Sequence, residues 1–215
     1  MGKAAAAASR YSKKTEAEAA LNRTEPNWRE IEKRLKDTLD EDRYRHTLGV
    51  AFTAAAMAMA HKLDITKARL AGLLHDCAKC IPKEERLSLC VKNGIEVTAI
   101  EQINVSLLHS KLGVLIARRD FGIDDPEIAG AIRWHTTGRP AMTKLEQIIY
   151  LADCIEPNRD DEMMIDPEVR YAAFTDLDKC CRMIMEEVVK YIRTSGKDMD
   201  DKTLEAYNYY KNLTD

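Results

Sequence analysis

The chain has 215 residues, 45% of them hydrophobic, with a net charge of −3 and a pI of about 6.0. That length suits one domain with a sizeable core, and the mild acidity argues against broad binding to nucleic acid polymers while leaving room for a local basic pocket. No stretch is apolar enough to span a bilayer and the start is too weak for a secretion signal, so a soluble, cytoplasmic protein with no membrane partner is expected.

Residues 1–25 are rich in Ala, Lys and Glu without an apolar face and are predicted to be a tail, with one domain over 26–215. Trp28, Ile31, Leu35 and Leu39 then recur at helical spacing behind Asn27, a good N-cap. "RYRHTLGVAFTAAAMAMAHKL" is a second helix whose Ala and Met content allows close packing. Thr66 is placed to cap a third, running to about His75, and Pro82 to start a fourth with Glu84 and Glu85 in its first turn. Periodic segments follow near 97–120, 126–136, 143–155, 167–194 and 201–212. They are separated by "NGIE", "FGIDDP", "TTGRPAM", "EPNRDD", "MIDP" and "TSGKD". No useful β-alternation is present, so the expected fold is all-α, a single bundle of roughly seven to nine helices.

The six cysteines are Cys77, Cys80, Cys90, Cys154, Cys180 and Cys181. Cys77 and Cys80 form a lone CxxC, whereas a zinc ribbon needs a second pair, so reduced and mostly buried thiols are expected.

The five histidines are more informative. His109 shares a helical face with Val105, Leu112 and Ile116, and His135 with Ile128, Ala131 and Ile132. His75 follows Ala68, Ala71 and Gly72, while His46 precedes Gly49, Val50, Thr53 and Met57. Each imidazole therefore lies on or beside an apolar stripe. Asp153 does too, with Leu145, Ile149 and Tyr150, and Asp76 adjoins His75. One inward His or Asp is ordinarily a hydrogen-bonded core residue. Such a set on five or more helices would be costly to bury without a cation, and imidazole and carboxylate are natural ligands for a divalent transition metal. His61 lies on the His46 stripe but about 22 Å along the helix, so it is read as a C-terminal dipole or capping residue.

"RYRHTLGV", "KARLAGLLHDCAKCIP", "LLHSKLG", "IRWHTTGRPAMTKLEQIIYLADCIEPNR" and "DKTLEAYNYY" together resemble the HD phosphohydrolase superfamily. The nearer likeness is to its YqeK-like branch, the symmetrical diadenosine tetraphosphate hydrolases, and it extends over residues 27–212. The resemblance implies two divalent transition-metal ions, with iron expected and Mn, Co or Zn able to replace it. His46, His75, Asp76 and Asp153 would hold one ion, and Asp76 would bridge to a second held by His109 and His135.

It further implies hydrolysis of a dinucleoside polyphosphate by a bridging hydroxide, giving two ADP from diadenosine tetraphosphate. Asp76 and Lys79 are the implied catalytic residues. Lys79, Thr137, Gly138 and Arg139 are the expected phosphate contacts, and Glu156 and Arg159 an ion pair bracing the end of the Asp153 helix. A homodimer is an open alternative to a monomer. Cys77 and Cys80 depart from the apolar or small residues of the family pattern, which suggests a site sensitive to oxidation at Cys77.

Related activities fit less well. The cyclic dinucleotide phosphodiesterases carry "HHE" and "GYP" elements where this chain reads "WHTTGRP", and the alarmone hydrolases read HDxxED where it has "HDCAKC". A mononucleotide phosphatase and a non-catalytic adaptor stapled by metal remain as alternatives.

Overall fold

The computed structural model describes residues 26–159 and 166–213, and every regular element among them is helical. In chain order these are α1 (Trp28–Thr38), α2 (Glu41–Ala60), α3 (Ile65–Leu74), α4 (Lys83–Lys92), α5 (Ala99–Ile103), a 3₁₀ turn (Val105–Leu107), α6 (Leu108–Phe121), α7 (Pro126–Trp134), α8 (Lys144–Ile155), α9 (Pro167–Thr175), α10 (Leu177–Thr194) and α11 (Asp201–Lys211). The predicted tail, residues 1–25, lies outside the described residues. The chain divides into two units, one ending at Arg34 and the other beginning at Leu35. In the first, the Asn27 side chain accepts the Glu30 amide at 3.3 Å, as its reading as an N-cap requires. Helices α2 to α11 all belong to the second. None of the described helices is long and apolar enough to cross a membrane.

The helix count exceeds the expected seven to nine because two predicted segments are interrupted by short side-chain caps rather than by Gly or Pro. Asn104 accepts the Ser106 amide at 3.3 Å and separates α5 from the 3₁₀ turn and α6. Asp176 leaves helical geometry at φ −150°, accepts the Lys179 amide at 3.0 Å, and divides α9 from α10. At the start of α3 the cap is Asp64, whose carboxylate accepts the Lys67 amide at 3.0 Å, and not Thr66. An acceptor one residue before the first helical residue is what the free N–H groups need.

Small residues set the spacing of the helices that carry the histidines. On α2, Val50, Ala51, Ala54, Met57 and Ala58 are buried, and on α3 Ala68 and Ala71 face them. A Cβ on Gly72 would lie 2.7 Å from Ala51 Cα, so only glycine permits this approach. A Cβ on Gly113 would lie 2.9 Å from Ile132 Cγ2, which sets the contact between α6 and α7 in the same way. The first contact brings the rings of His46 and His75 to 5.3 Å between centroids, the second those of His109 and His135 to 4.9 Å.

Helix α8 runs through the middle and touches α2, α3, α7 and α10. Leu145, Ile148, Ile149, Leu151, Ala152 and Ile155 are all buried, as expected for a central helix covered on almost every side. Each large aliphatic chain stabilises the fold by roughly 1.5–3 kcal/mol, a reserve against the cost of holding the Asp153 carboxylate inside. A capping box starts α8: Thr143 Oγ1 accepts the Glu146 amide at 3.3 Å, and Glu146 accepts the Thr143 amide at 2.8 Å.

Candidate metal centre

Asp76 lies just past the end of α3 and is 1% exposed. Its Oδ2 receives Arg43 Nη1 at 3.0 Å and Lys79 Nζ at 3.2 Å, with His75 Nε2 at 3.5 Å. Its Oδ1 faces His109 Nε2 at 3.3 Å and His135 Nε2 at 3.4 Å, without a hydrogen bond of good geometry.

Three imidazoles are held in one tautomer by one repeated device. His75 Nδ1 reaches the Gly72 carbonyl at 2.7 Å, His109 Nδ1 that of Ser106 at 2.6 Å, and His135 Nδ1 that of Ile132 at 2.7 Å. Each partner is three residues earlier and can only accept, so each Nδ1 carries the proton and each Nε2 offers a lone pair. The Nε2 atoms of His109 and His135 then meet at 3.0 Å, with Thr136 Oγ1 3.1 Å from both. One hydroxyl proton cannot serve both nitrogens as well as Asp76 Oδ1. His75 Nε2 is buried with no hydrogen-bond partner.

Across the site, His46 Nε2 lies 3.0 Å from Asp153 Oδ1, and His75 Nε2 lies 3.8 Å from the same oxygen. His46 Nδ1 meets Glu156 Oε1 at 3.0 Å. Glu156 is 1% exposed, and its other oxygen accepts the Asn158 backbone and side-chain N–H groups at 2.7 and 3.2 Å. Arg159 Nη1 pairs with Asp153 Oδ1 at 2.8 Å and also bonds the Asp153 carbonyl. The expected Glu156–Arg159 ion pair is thus replaced by two others, because the Asp153 carboxylate captures the arginine while His46 takes the glutamate. Both bonds hold the His46 and Asp153 side chains in place rather than bracing a helix end.

The electrostatics follow from burial and neighbours. Burial pushes the His75 and His109 imidazoles down to about 4, keeping both neutral at pH 7. Burial alone would raise the Asp76 carboxyl, but the surrounding imidazoles and the Lys79 ammonium hold it well below the usual carboxylate range. Asp153 is likewise lowered against burial, by the His46 hydrogen bond and the Arg159 charge. At His46 burial works downward, and the Asp153 and Glu156 carboxylates outweigh it and raise the pKa.

This donor set fits a divalent transition metal. An unpartnered buried nitrogen, an unpartnered carboxylate oxygen and two opposed lone pairs are costly unless a cation lies among them. Ligand atoms of His46, His75 and Asp153 all lie within 4.8 Å of one another, as do those of His75, Asp76 and His135. The centre lies on a cleft of about 640 Å³, also lined by Arg43, Lys79, Thr136, Tyr150 and Arg159.

The structure therefore brings His46, His75, Asp76, His109, His135 and Asp153 together from five helices and their ends, with Lys79 against Asp76. It does not bring Thr137, Gly138 or Arg139 into the cleft lining. Thr137 Oγ1 bonds the Gly138 carbonyl at 3.0 Å, Gly138 turns at φ +66°, and Arg139 pairs with Glu146 at 2.8 Å. Arg139 thus braces the cap of α8, and Thr136 is the loop residue that reaches the centre. Cys77 is also turned away: its buried Sγ points at the Gly113 carbonyl, and burial raises its pKa, which leaves no reactive thiolate beside the ligands. All six cysteines are free, and none joins the ligand groups.

His61 ends α2, with its amide on the Met57 carbonyl and its ring on that of Ala173 at 2.8 Å, consistent with a cap. Arg43 and Thr136 lie outside the site residues that the sequence motifs imply. The signal for Arg43 is its place one turn before His46, on the same face.

The family model for the HD domain matches residues 43–158, the segment that carries all six clustered residues. The chain belongs to the HD-domain family. The symmetrical bis(5'-nucleosyl)-tetraphosphatase of Bacillus subtilis strain 168 is 36% identical over 175 residues, 81% of this chain and 92% of that one. The enzyme of the same name from Halalkalibacterium halodurans is 37% identical over 174 residues, 81% and 91% of the two chains. A crystal structure from Clostridium acetobutylicum, described as a "predicted HD superfamily hydrolase involved in NAD metabolism", superposes with a TM-score of 0.81 at 40% identity. The match covers 86% of this chain and 97% of that one.

Proposed function

We propose that this HD-domain protein is a metal-dependent hydrolase that cleaves diadenosine tetraphosphate symmetrically into two molecules of ADP. The observation that carries the reading is a cluster of four imidazoles and two carboxylates, of which His46, His109, His135 and Asp153 line an open cleft together with Arg43, Lys79 and Arg159. The shared activity named for the bacterial relatives supports the substrate. In this reading His46, His75, Asp76 and Asp153 hold one ion, His109, His135 and Asp76 a second, and iron is the resident metal. Such ions supply positive charge to phosphate oxygens and lower the pKa of water.

The chain's own residues have separate tasks. The carbonyls of Gly72, Ser106 and Ile132 hold protons on Nδ1 and keep the Nε2 atoms of His75, His109 and His135 aimed inward. Glu156 and Arg159 hold His46 and Asp153 at their angles. Arg43 and Lys79 stand where the phosphate bridge enters, beside the outer oxygen of Asp76, and offset its negative charge. Thr136 offers its hydroxyl proton to a phosphate oxygen. The leaving ADP is stable as an anion, so no strong general acid is required, and none is provided beyond these cations.

An adaptor stapled by metal would call for an enclosed site, whereas His46, His109, His135 and Asp153 all line the cleft. Chromatography of the products from diadenosine tetraphosphate with metal-loaded protein tests the reading. ADP alone is expected. ATP with AMP would refute symmetrical cleavage, and no turnover would refute the activity.

A further inference from the structure

The apolar stripe of α10 outruns the core. Leu177, Cys180, Cys181, Ile184 and Met185 are buried, but one turn further Val188 and Ile192 are only half-buried and Tyr191 is 38% exposed. Val188, Tyr191 and Ile192 share one helical face, and all three line the cleft that contains the metal centre. Lys197 Nζ lies 2.9 Å from the Tyr191 hydroxyl and 4.7 Å from its ring centroid. Asp198, in the loop after α10, also lines the cleft and offers acceptor oxygens beside this apolar ledge.

The two sides of the cleft thus differ in chemistry. Around Asp76 it presents cations and ligand atoms, which suit phosphate. At the end of α10 it presents a flat aromatic and two aliphatic chains, flanked by Lys197 and Asp198, which suit an uncharged ring with polar edges.

We propose that the Val188–Tyr191–Ile192 ledge is the nucleoside subsite, where the base of one half of the substrate stacks on Tyr191 and its hydroxyl or amino donors turn toward Asp198. This rests on the reading of the centre as a nucleotide hydrolase and assigns the part of the substrate that the metal ligands do not touch. The contribution is to affinity, because the base is remote from the bond that breaks.

Calorimetric titration of metal-loaded wild type, Tyr191→Ala and Tyr191→Phe with ADP, and separately with tripolyphosphate, tests it. One base–aromatic stack is worth about a tenfold change in affinity. Tyr191→Ala should therefore bind ADP about tenfold more weakly and tripolyphosphate as wild type does, while Tyr191→Phe binds both normally. The KM for diadenosine tetraphosphate should rise in Tyr191→Ala with kcat little changed.

Unchanged ADP affinity in Tyr191→Ala would overturn the subsite. So would equal losses for ADP and tripolyphosphate, since the second ligand has no base, and so would a Tyr191→Phe variant as weak as the alanine. A wild type that binds ADP but leaves diadenosine tetraphosphate intact would count against the proposed activity instead.

Discussion

His109 and His135 oppose their Nε2 atoms across 3.0 Å, and each is denied the other tautomer by a carbonyl three residues earlier. Two lone pairs at that separation repel in the absence of a cation, and Asp76 Oδ1 adds negative charge to the same spot. A divalent ion among these atoms would relieve that repulsion, so in the proposed reading metal binding and folding would be coupled.

Chelation should therefore lower thermal stability. An ion present at a thousandfold its dissociation constant stabilises the native state by about 4 kcal/mol. Calorimetric scans with and without chelator should differ by several degrees, and coincident scans would contradict the coupling.

Metal-free protein should also weaken in mild acid. Burial holds His75 and His109 at about 4, against an ordinary 6.5. The unfolded chain therefore binds more protons between those values, so native stability is fully present above pH 6.5 and declines as pH falls toward 4. The lowered carboxyls of Asp76 and Asp153 extend the decline at lower pH. His46, raised by its carboxylate neighbours, acts in the opposite sense and loses its contribution as pH rises through its folded value. The midpoint of chelated protein should be lower near pH 5 than near pH 7. The reverse order would show that His46 dominates.

Glu156 should matter to metal affinity without touching metal. Its Oε1 orients His46, and loss of such a partner typically weakens binding about 10–100-fold. Glu156→Ala should show that loss in a competition titration with a chromogenic chelator. Gly49→Ala should behave similarly, because its new Cβ would lie 2.0 Å from Glu156 Oε2 and displace the carboxylate. Wild-type affinity in both would remove Glu156 from the account.

Arg43 and Arg139 should separate cleanly. Arg43 reaches Asp76 from the cleft rim, and loss of a charged contact of roughly 1.5–3 kcal/mol raises the KM for diadenosine tetraphosphate by about 10–100-fold. Arg139 is engaged by Glu146 with its side chain 30% exposed, so Arg139→Ala should cost about 1 kcal/mol or less of stability and leave KM nearly unchanged. Steady-state kinetics and thermal melts on the two variants decide between them; the opposite pattern would return Arg139 to the phosphate site.

Helical periodicity singled out four histidines and two aspartates because an imidazole or carboxylate on or beside an apolar stripe conflicts with the cost of burial, and the structure brings these six side chains together. It failed where the helical phase ends. Past His135 the chain leaves α7, so spacing no longer says which of Thr136, Thr137 or Arg139 turns inward, and the left-handed turn at Gly138 decided it. Asn104 and Asp176 interrupt helices through a single side-chain hydrogen bond each, a signal too small to read against a continuous apolar stripe. The exchange of partners between Glu156 and Arg159 depends on His46, which is 110 residues away in sequence from Glu156, a distance no local pattern spans.

In the proposed reading, two ions would compensate for the burial of these histidines. Metal analysis of protein purified without chelator, beside His109→Ala, His135→Ala and His61→Ala, tests it most directly. Two ions per chain are expected in wild type and in His61→Ala, with the second ion and most activity lost in each of the other two. Full metal content and normal turnover in His109→Ala or His135→Ala would contradict it.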